Sequence, residues 1–220
     1  MPARAGSLIR SGREVGFGPV RIGFDATVLA PRPWTIAQSR IAADLLGDEP
    51  PGAVLELCCG AGQIGLATAA WTGRRLVQVD DCAAACRWAR RNAAANRIPV
   101  EVRHAAMDDA LEDGERFALV LADPPYVPTR DVARYPADPR HAIDGGADGL
   151  DAVRSCLAAI TGHAAPGAPV ALQVRGPAQA DRVAAVVRRE GLPFTAERTR
   201  VVSPERAVLV LRLAAPAGGR

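Results

Sequence analysis

One stretch combines the groups needed to hold a planar nitrogen: Val120-Leu121-Ala122-Asp123-Pro124-Pro125-Tyr126. An apolar run stops there at a carboxylate, two prolines and an aromatic ring. Each proline fixes φ and removes a backbone donor, so a strand cannot continue past this point. The proline carbonyls are left free to accept hydrogen bonds from outside the fold. Asp123 adds a side-chain acceptor beside the Pro124 carbonyl, and Tyr126 offers a flat ring face. Such a corner suits the –NH2 of an amide or aromatic amine. The plainer alternative is a Pro-Pro turn in which Asp123 caps a helix.

A second constellation lies upstream. Glu56-Leu57-Cys58-Cys59-Gly60-Ala61-Gly62-Gln63-Ile64-Gly65 leads from an apolar run into a helical pattern. Gly60 and Gly62 let backbone N–H groups approach a ligand closely, and Gly65 completes the spacing of a dinucleotide turn. A nicotinamide cofactor is therefore one reading. Glu56 counts against it, because a negative charge beside the turn repels a pyrophosphate and suits a cationic amino-acid ligand. Eighteen residues beyond Gly62 another apolar run ends at Asp80, whose carboxylate can accept both ribose hydroxyls. Asp81 is then read as the N-cap of the next helix.

Both constellations require strand ends to carry them, and the apolar pattern supplies those ends. Residues 15–24 alternate as a hairpin or extended lead-in, and a proline-stiffened turn opens a helix that reaches residue 46. Strands are expected at 54–57, 75–79, 100–104, 117–122 and 169–174. Helices are expected at 62–70, 82–96, 150–161 and 178–190. Two further strands, 193–199 and 206–213, are joined by Ser203-Pro204-Glu205. Strands alternating with helices predict an α/β, Rossmann-like, doubly wound sheet of seven mostly parallel strands, closed by an antiparallel hairpin. Residues 1–14 read as a disordered tail, 15–214 as a single domain and 215–220 as a second tail.

Composition narrows the class. Half of the 220 residues are apolar, so a packed core is expected. All 27 basic residues are arginine, in a chain rich in Ala, Gly and Pro, which points to a GC-rich genome more than to phosphate binding. A net charge of +3 permits a nucleic-acid partner without arguing for one. No apolar run has the length of a membrane span and no signal peptide is evident, so the expected location is cytoplasmic. Cys58, Cys59, Cys82, Cys86 and Cys156 lie in apolar elements with no His at ligand spacing, which favours packed, reduced thiols over a metal site.

Taken together, these residues resemble the class I S-adenosylmethionine-dependent methyltransferases, and most closely the HemK-type (protein-glutamine N5) branch and its amino-methyltransferase relatives. Four stretches carry the likeness. Val28-Leu29-Ala30-Pro31-Arg32-Pro33-Trp34-Thr35 is similar to the family's Pro-Arg-Pro-Glu-Thr lead-in. The Glu56–Gly62 turn and the Asp-Pro-Pro-Tyr corner are the second and third. The fourth, Ala142-Ile143-Asp144-Gly145-Gly146-Ala147-Asp148-Gly149-Leu150-Asp151, is the most branch-specific. The resemblance covers residues 20–213. It implies S-adenosylmethionine as cofactor, held by Thr35, Glu56, Cys58, Gly60, Gly62, Asp80, Ala106, Met107 and Asp123. It assigns Asp123, Pro124 and Tyr126 to the catalytic corner.

The departures are specific. Cys58 stands where the family has glycine, Trp34 where it has glutamate, and Asp123 where it has asparagine. Ala105-Ala106 replaces the Gly-Asp that contacts adenine, leaving that role to backbone and Met107 packing, with Asp108 as a fallback. The helical N-terminal domain of the release-factor enzymes is not expected here, and the length is nearer that of short, single-domain relatives.

The implied reaction is methyl transfer to a planar amide or amine nitrogen. A protein glutamine or small-molecule amide is favoured. A nucleic-acid base is the alternative, and reaching one requires flipping or a single strand. Residues 127–149 read as a substrate-covering loop whose Arg130, Arg134 and Arg140 could meet phosphates or an acidic protein, or be solvated. His141 is expected at the surface. From other classes, a Rossmann oxidoreductase would lack a Tyr-Lys pair in a chain without lysine, and an inactive scaffold would explain Cys58 and Ala106.

Overall fold

A computed structural model of the chain describes residues 12–215. Most of the expected N-terminal tail and residues 216–220 lie outside the described residues. Within them, β1 (Arg13–Phe17) already includes Arg13 and Glu14, which corrects the expectation that the tail reaches residue 14. It pairs antiparallel with β2 (Val20–Phe24). A 3-10 turn at Pro33–Thr35 leads into α1 (Ile36–Leu46). The alternating part comes next: β3 (Val54–Leu57), α2 (Gln63–Thr72), β4 (Leu76–Asp80), α3 (Ala83–Asn96), β5 (Val100–His104) and β6 (Leu119–Ala122). Two 3-10 turns, Thr129–Arg134 and Arg140–Ala142, lie in the long connection to α4 (Asp151–His163). Then come β7 (Pro169–Val174), α5 (Gly176–Arg189), β8 (Phe194–Ser203) and β9 (Arg206–Leu213).

The seven-stranded sheet has the order β5-β4-β3-β6-β7-β9-β8. The four contacts among β5, β4, β3, β6 and β7 are parallel, and β9 joins β7 and β8 antiparallel. The chain winds outward from β3 to β5 and returns to β6 on the other side of β3. That reversal is the switch point at which doubly wound sheets open a crevice beyond their carboxyl ends. The register pairs Leu57 with Ala122, so Cys58 and Asp123 extend from adjacent strand ends. The glycine turn and the acceptor corner are neighbours for this reason alone.

Both faces of the sheet are covered. Along β6, Leu119 and Leu121 enter the layer under α1, α2 and the β1–β2 hairpin, while Val120 and Ala122 enter the layer under α4 and α5. Side chains on all four of these β6 residues are buried, as a central parallel strand requires. The edge strand β8 is longer than its pattern suggests, because most of its residues are exposed and give no alternation. Among the described residues no helix is long and apolar enough to cross a membrane.

Buried amides tie the layers to the strand ends. Gln38 on α1 donates to the carbonyls of Ala122 and Ala171 at 2.9 and 2.8 Å. Asn92 on α3 donates to Ala61 and Gly23 and accepts from the Gly23 N–H. The hairpin is thereby joined to the glycine turn.

Candidate functional site

The turn after β3 is built by backbone conformation. Gly60 and Gly62 have φ of 54° and 84°, and Cys58 is also left-handed at 56°. A non-glycine residue in that region costs about 1–2 kcal/mol. Cys58 thus occupies, at a strain cost, a position where the family's glycine would be relaxed. The glycines serve different ends. At Gly60 a Cβ would meet nothing within 4 Å, so its backbone is open to the cavity. At Gly62 a Cβ would lie 2.9 Å from Gln78 Nε2 and 3.3 Å from Ala89 Cα. At Gly65 it would collide with the Glu56 carboxylate. Gly62 and Gly65 are there for packing, and the expectation that Gly62 exposes its N–H to a ligand is corrected.

Glu56 is also corrected. It is buried behind the turn, where its carboxylate accepts from Gln78 Nε2 at 2.6 Å, and it does not line the cavity. Burial pushes its pKa up to about 8, against the pull of the Gln78 bond, so the group carries a proton at neutral pH. A negative charge beside the ligand is not what this side chain provides.

Asp80, at the end of β4, faces the cavity. Its Oδ2 accepts from the Gly60 N–H at 2.8 Å and its Oδ1 from the Cys82 N–H at 2.9 Å. Asp80 therefore holds the glycine turn and the start of α3 with one carboxylate, and Asp81 is not the cap. Burial raises the Asp80 pKa and the two N–H bonds oppose that rise.

A cavity of about 250 Å³ opens against these groups. Its walls include Cys58, Gly60, Asp80, Ala105, Ala106, Met107 and Asp108, with Asp123 and Pro125 at the far side. Gln63 is a residue that sequence reasoning misses: it lines this cavity, is 9% exposed, and its Oε1 has no hydrogen-bond partner. Its sequence signal is a long polar side chain at the first residue of α2, directly after the glycine turn. The Cys58 thiol is held well above its ordinary pKa by the hydrogen bond it donates to Cys156 and by burial, so it is no thiolate nucleophile.

A second cavity, about 350 Å³, lies on the other side of the corner. Leu29, Arg32, Trp34, Thr35, Asp123, Pro124, Tyr126, Tyr135, Arg175 and Arg206 are among its walls. Thr35, expected with the cofactor residues, lies here; it is buried and its hydroxyl donates to the Arg32 carbonyl. Asp123 lines both cavities. Its carboxylate accepts no hydrogen bond from any described residue, and burial pushes its pKa up to about 7. Burial likewise raises the Tyr126 phenol.

The branch-specific segment buttresses this corner. A Cβ at Gly145 would lie 2.7 Å from the Pro125 carbonyl, and one at Gly149 would lie 2.7 Å from that of Tyr126. Val127 forms a bridge with Asp144, whose carboxylate accepts from Thr129 Oγ1 at 2.7 Å and the Gly146 N–H at 3.1 Å. The covering part is the preceding half: Tyr135, Asp138 and Ile143 border the second cavity, exposed His141 borders the first, and Ala142 borders both. Of the loop arginines, Arg134 pairs with Asp131 and Arg140 with Asp144.

The sequence and the fold are similar to those of known proteins. Residues 37–136 match the model of the methyltransferase small domain family. The chain is 34% identical over 208 residues to the release factor glutamine methyltransferase of Rhodospirillum rubrum, covering 91% of this chain and 63% of that protein. It is 32% identical over 183 residues to the protein of the same name from Deinococcus radiodurans, covering 81% and 65%. The chain thus spans less than two thirds of the length of these curated relatives. In fold it is similar to the hMettl16 catalytic domain, solved in complex with the MAT2A 3′UTR hairpin 6, with a TM-score of 0.71 at 13% identity over 90% of this chain and 78% of that one.

Proposed function

We propose that the chain, which is similar to release factor glutamine methyltransferases, is an S-adenosylmethionine-dependent N-methyltransferase acting on a planar amide or amine nitrogen. The observation that carries this reading is Asp123, a carboxylate without a hydrogen-bond partner among the described residues, where two cavities meet. A protein glutamine or small-molecule amide is the favoured acceptor, residues 15–214 forming one catalytic unit. A cytoplasmic setting suits its five free thiols.

The first cavity fits the cofactor. Asp80 offers acceptors for ribose hydroxyls, Gln63 an unused amide oxygen for an amino group, and Ala105 to Met107 an apolar wall. When bound, S-adenosylmethionine supplies a sulfonium methyl group and leaves as a neutral thioether. The protein's part is orientation and electrostatics. Asp123 and the Pro124 carbonyl accept the two N–H bonds of the acceptor, which aims the nitrogen lone pair across the corner. The Asp123 carboxylate also stabilises the positive charge that grows on nitrogen as the new bond forms. The proton departs afterwards. Tyr126, packed in the second cavity, supports the planar group.

A nucleobase amine is the second reading, favoured by the aromatic lining of Trp34, Tyr126 and Tyr135. The primary test is calorimetric titration with S-adenosylhomocysteine and, separately, NAD. Binding of the former alone, weakened about tenfold or more by Asp80→Ala, supports the proposal. Binding of NAD alone would return the chain to the oxidoreductases.

A further inference from the structure

The second cavity contains a charge arrangement that the family pattern does not anticipate. Three guanidinium groups line it: Arg32, Arg175 and Arg206. Arg32 is ion-paired with Asp138, and Arg175 with Asp131 at 2.8 Å. Arg206 forms no ion pair and no side-chain hydrogen bond among the described residues. It lies 3.5 Å over the ring of Trp34. A guanidinium stacked on an aromatic face keeps its N–H groups free in its own plane, pointing past the ring edge. The stack orients those donors without using them.

Trp34 contributes its ring face and not its indole N–H: Nε1 is closed to solvent and has no hydrogen-bond partner among the described residues. This residue stands where the lead-in pattern has a glutamate, so a carboxylate that would compete for Arg206 is absent. The carboxylates on this cavity do not restore the balance: Asp138 is committed to Arg32, Asp123 belongs to the corner, and exposed Glu205 sits in the turn.

Arg206 is rigidly placed. It opens β9, antiparallel to β7, at the same sheet edge as the strand ends that carry Asp123. The preceding turn is pressed onto the start of α5, where a Cβ at Gly176 would collide with the Pro204 carbonyl.

We infer that Arg206, oriented by Trp34, determines acceptor specificity by binding an oxyanion, so that the substrate is an amide or amine bearing a carboxylate or phosphate near its –NH2 group. This rests on the N-methyltransferase reading and narrows it. A glutamine inside a neutral polypeptide would leave the Arg206 guanidinium unmatched.

The test is calorimetric titration of the protein loaded with S-adenosylhomocysteine, using two matched pairs of probes. One pair is N-acetylglutamine against its uncharged N-methylamide; the other is adenosine monophosphate against adenosine. The charged member of one pair is expected to bind at least about tenfold more tightly, the scale of a charge-assisted hydrogen bond, and the pair identifies the oxyanion. Arg206→Gln should erase that difference and leave the affinity for S-adenosylhomocysteine unchanged, which also reports that the variant is folded. Arg206→Lys should retain part of it. Equal behaviour of charged and neutral probes in both pairs, including no binding by either, overturns the inference. So does a difference that survives Arg206→Gln. Failure of S-adenosylhomocysteine to load the unmodified protein would instead remove the methyltransferase reading, and the inference with it.

Discussion

The two cavities on either side of Asp123 are built on different principles. The first is made by backbone: left-handed glycines, one carboxylate fastened by two N–H groups, and a short apolar wall after β5. The second is made by side chains from the lead-in, the long connection, the end of β7 and the turn into β9, held in place by ion pairs and a stacked indole. Backbone geometry constrains residue type closely, so the first cavity is conservative in design. Side-chain walls can be exchanged without disturbing the fold, so on the proposed function the second is where substrate choice would be made. The difference implies that substitutions on the two sides should fail in different ways.

The largest effect should come from the residue shared by both. Asp123→Ala is expected to lower methyl transfer about 100-fold or more while S-adenosylhomocysteine affinity changes less than about threefold, measured by turnover and calorimetry. Comparable loss of both would mean that the two sides are not separable. Asp80→Ala should do the reverse, and should also lower the melting temperature, since the Gly60 and Cys82 N–H groups lose their acceptor.

How far these sides can be read from the sequence obeys the same division. The strand–helix alternation, the glycine turn and Asp80 are all legible, because φ, hydrophobic period and chain reversal each demand particular residues. Which glycine faces the ligand is not, since Gly60 and Gly62 differ only in what lies opposite them in three dimensions. Glu56 is misread because its burial behind the turn, and hence its proton, depends on Gln78 and Gly65 packing over it. Two adjacent aspartates look alike as caps in the sequence; neither caps α3, and Asp80 instead turns the chain by accepting from the Cys82 N–H. Around the second cavity the Asp-Pro-Pro-Tyr corner and the lead-in at 28–35 are legible. Arg175 and Arg206 join Arg32 and Trp34 only through tertiary structure and share no local pattern with them.

The two glycines of the turn should also fail differently. Gly62→Ala must bear both a left-handed φ and contact with the Gln78 amide and α3, and is expected to cost about 2–3 kcal/mol in chemical denaturation. Gly60→Ala meets open space and should cost about 1 kcal/mol. Equal costs would contradict the packing role assigned to Gly62.

The pH dependence tests the corner more finely. With its pKa near 7, Asp123 is a full acceptor only above that pH, so kcat/KM should fall with unit slope as pH drops through about 7. Asp123→Asn should flatten this limb. Stability moves in the opposite direction: a raised folded pKa favours the fold while the group is protonated, and that advantage is lost as pH rises from the unfolded carboxylate range towards 7. Asp123→Asn should therefore gain stability relative to the parent above pH 7. For the same reason Glu56→Gln should gain stability relative to the parent as pH rises from the unfolded carboxylate range to about 8 and level off above it, while methyl transfer at pH 7 should change least.

The central claim is that Asp123 separates a cofactor site from an acceptor site. A crystal structure of the protein with S-adenosylhomocysteine tests it most directly. The account predicts ligand density against Asp80, Gly60 and Gln63, reaching Asp123 and leaving the cavity beside Trp34 and Arg206 clear. Density in the Trp34 cavity, with nothing on Asp80, would contradict it.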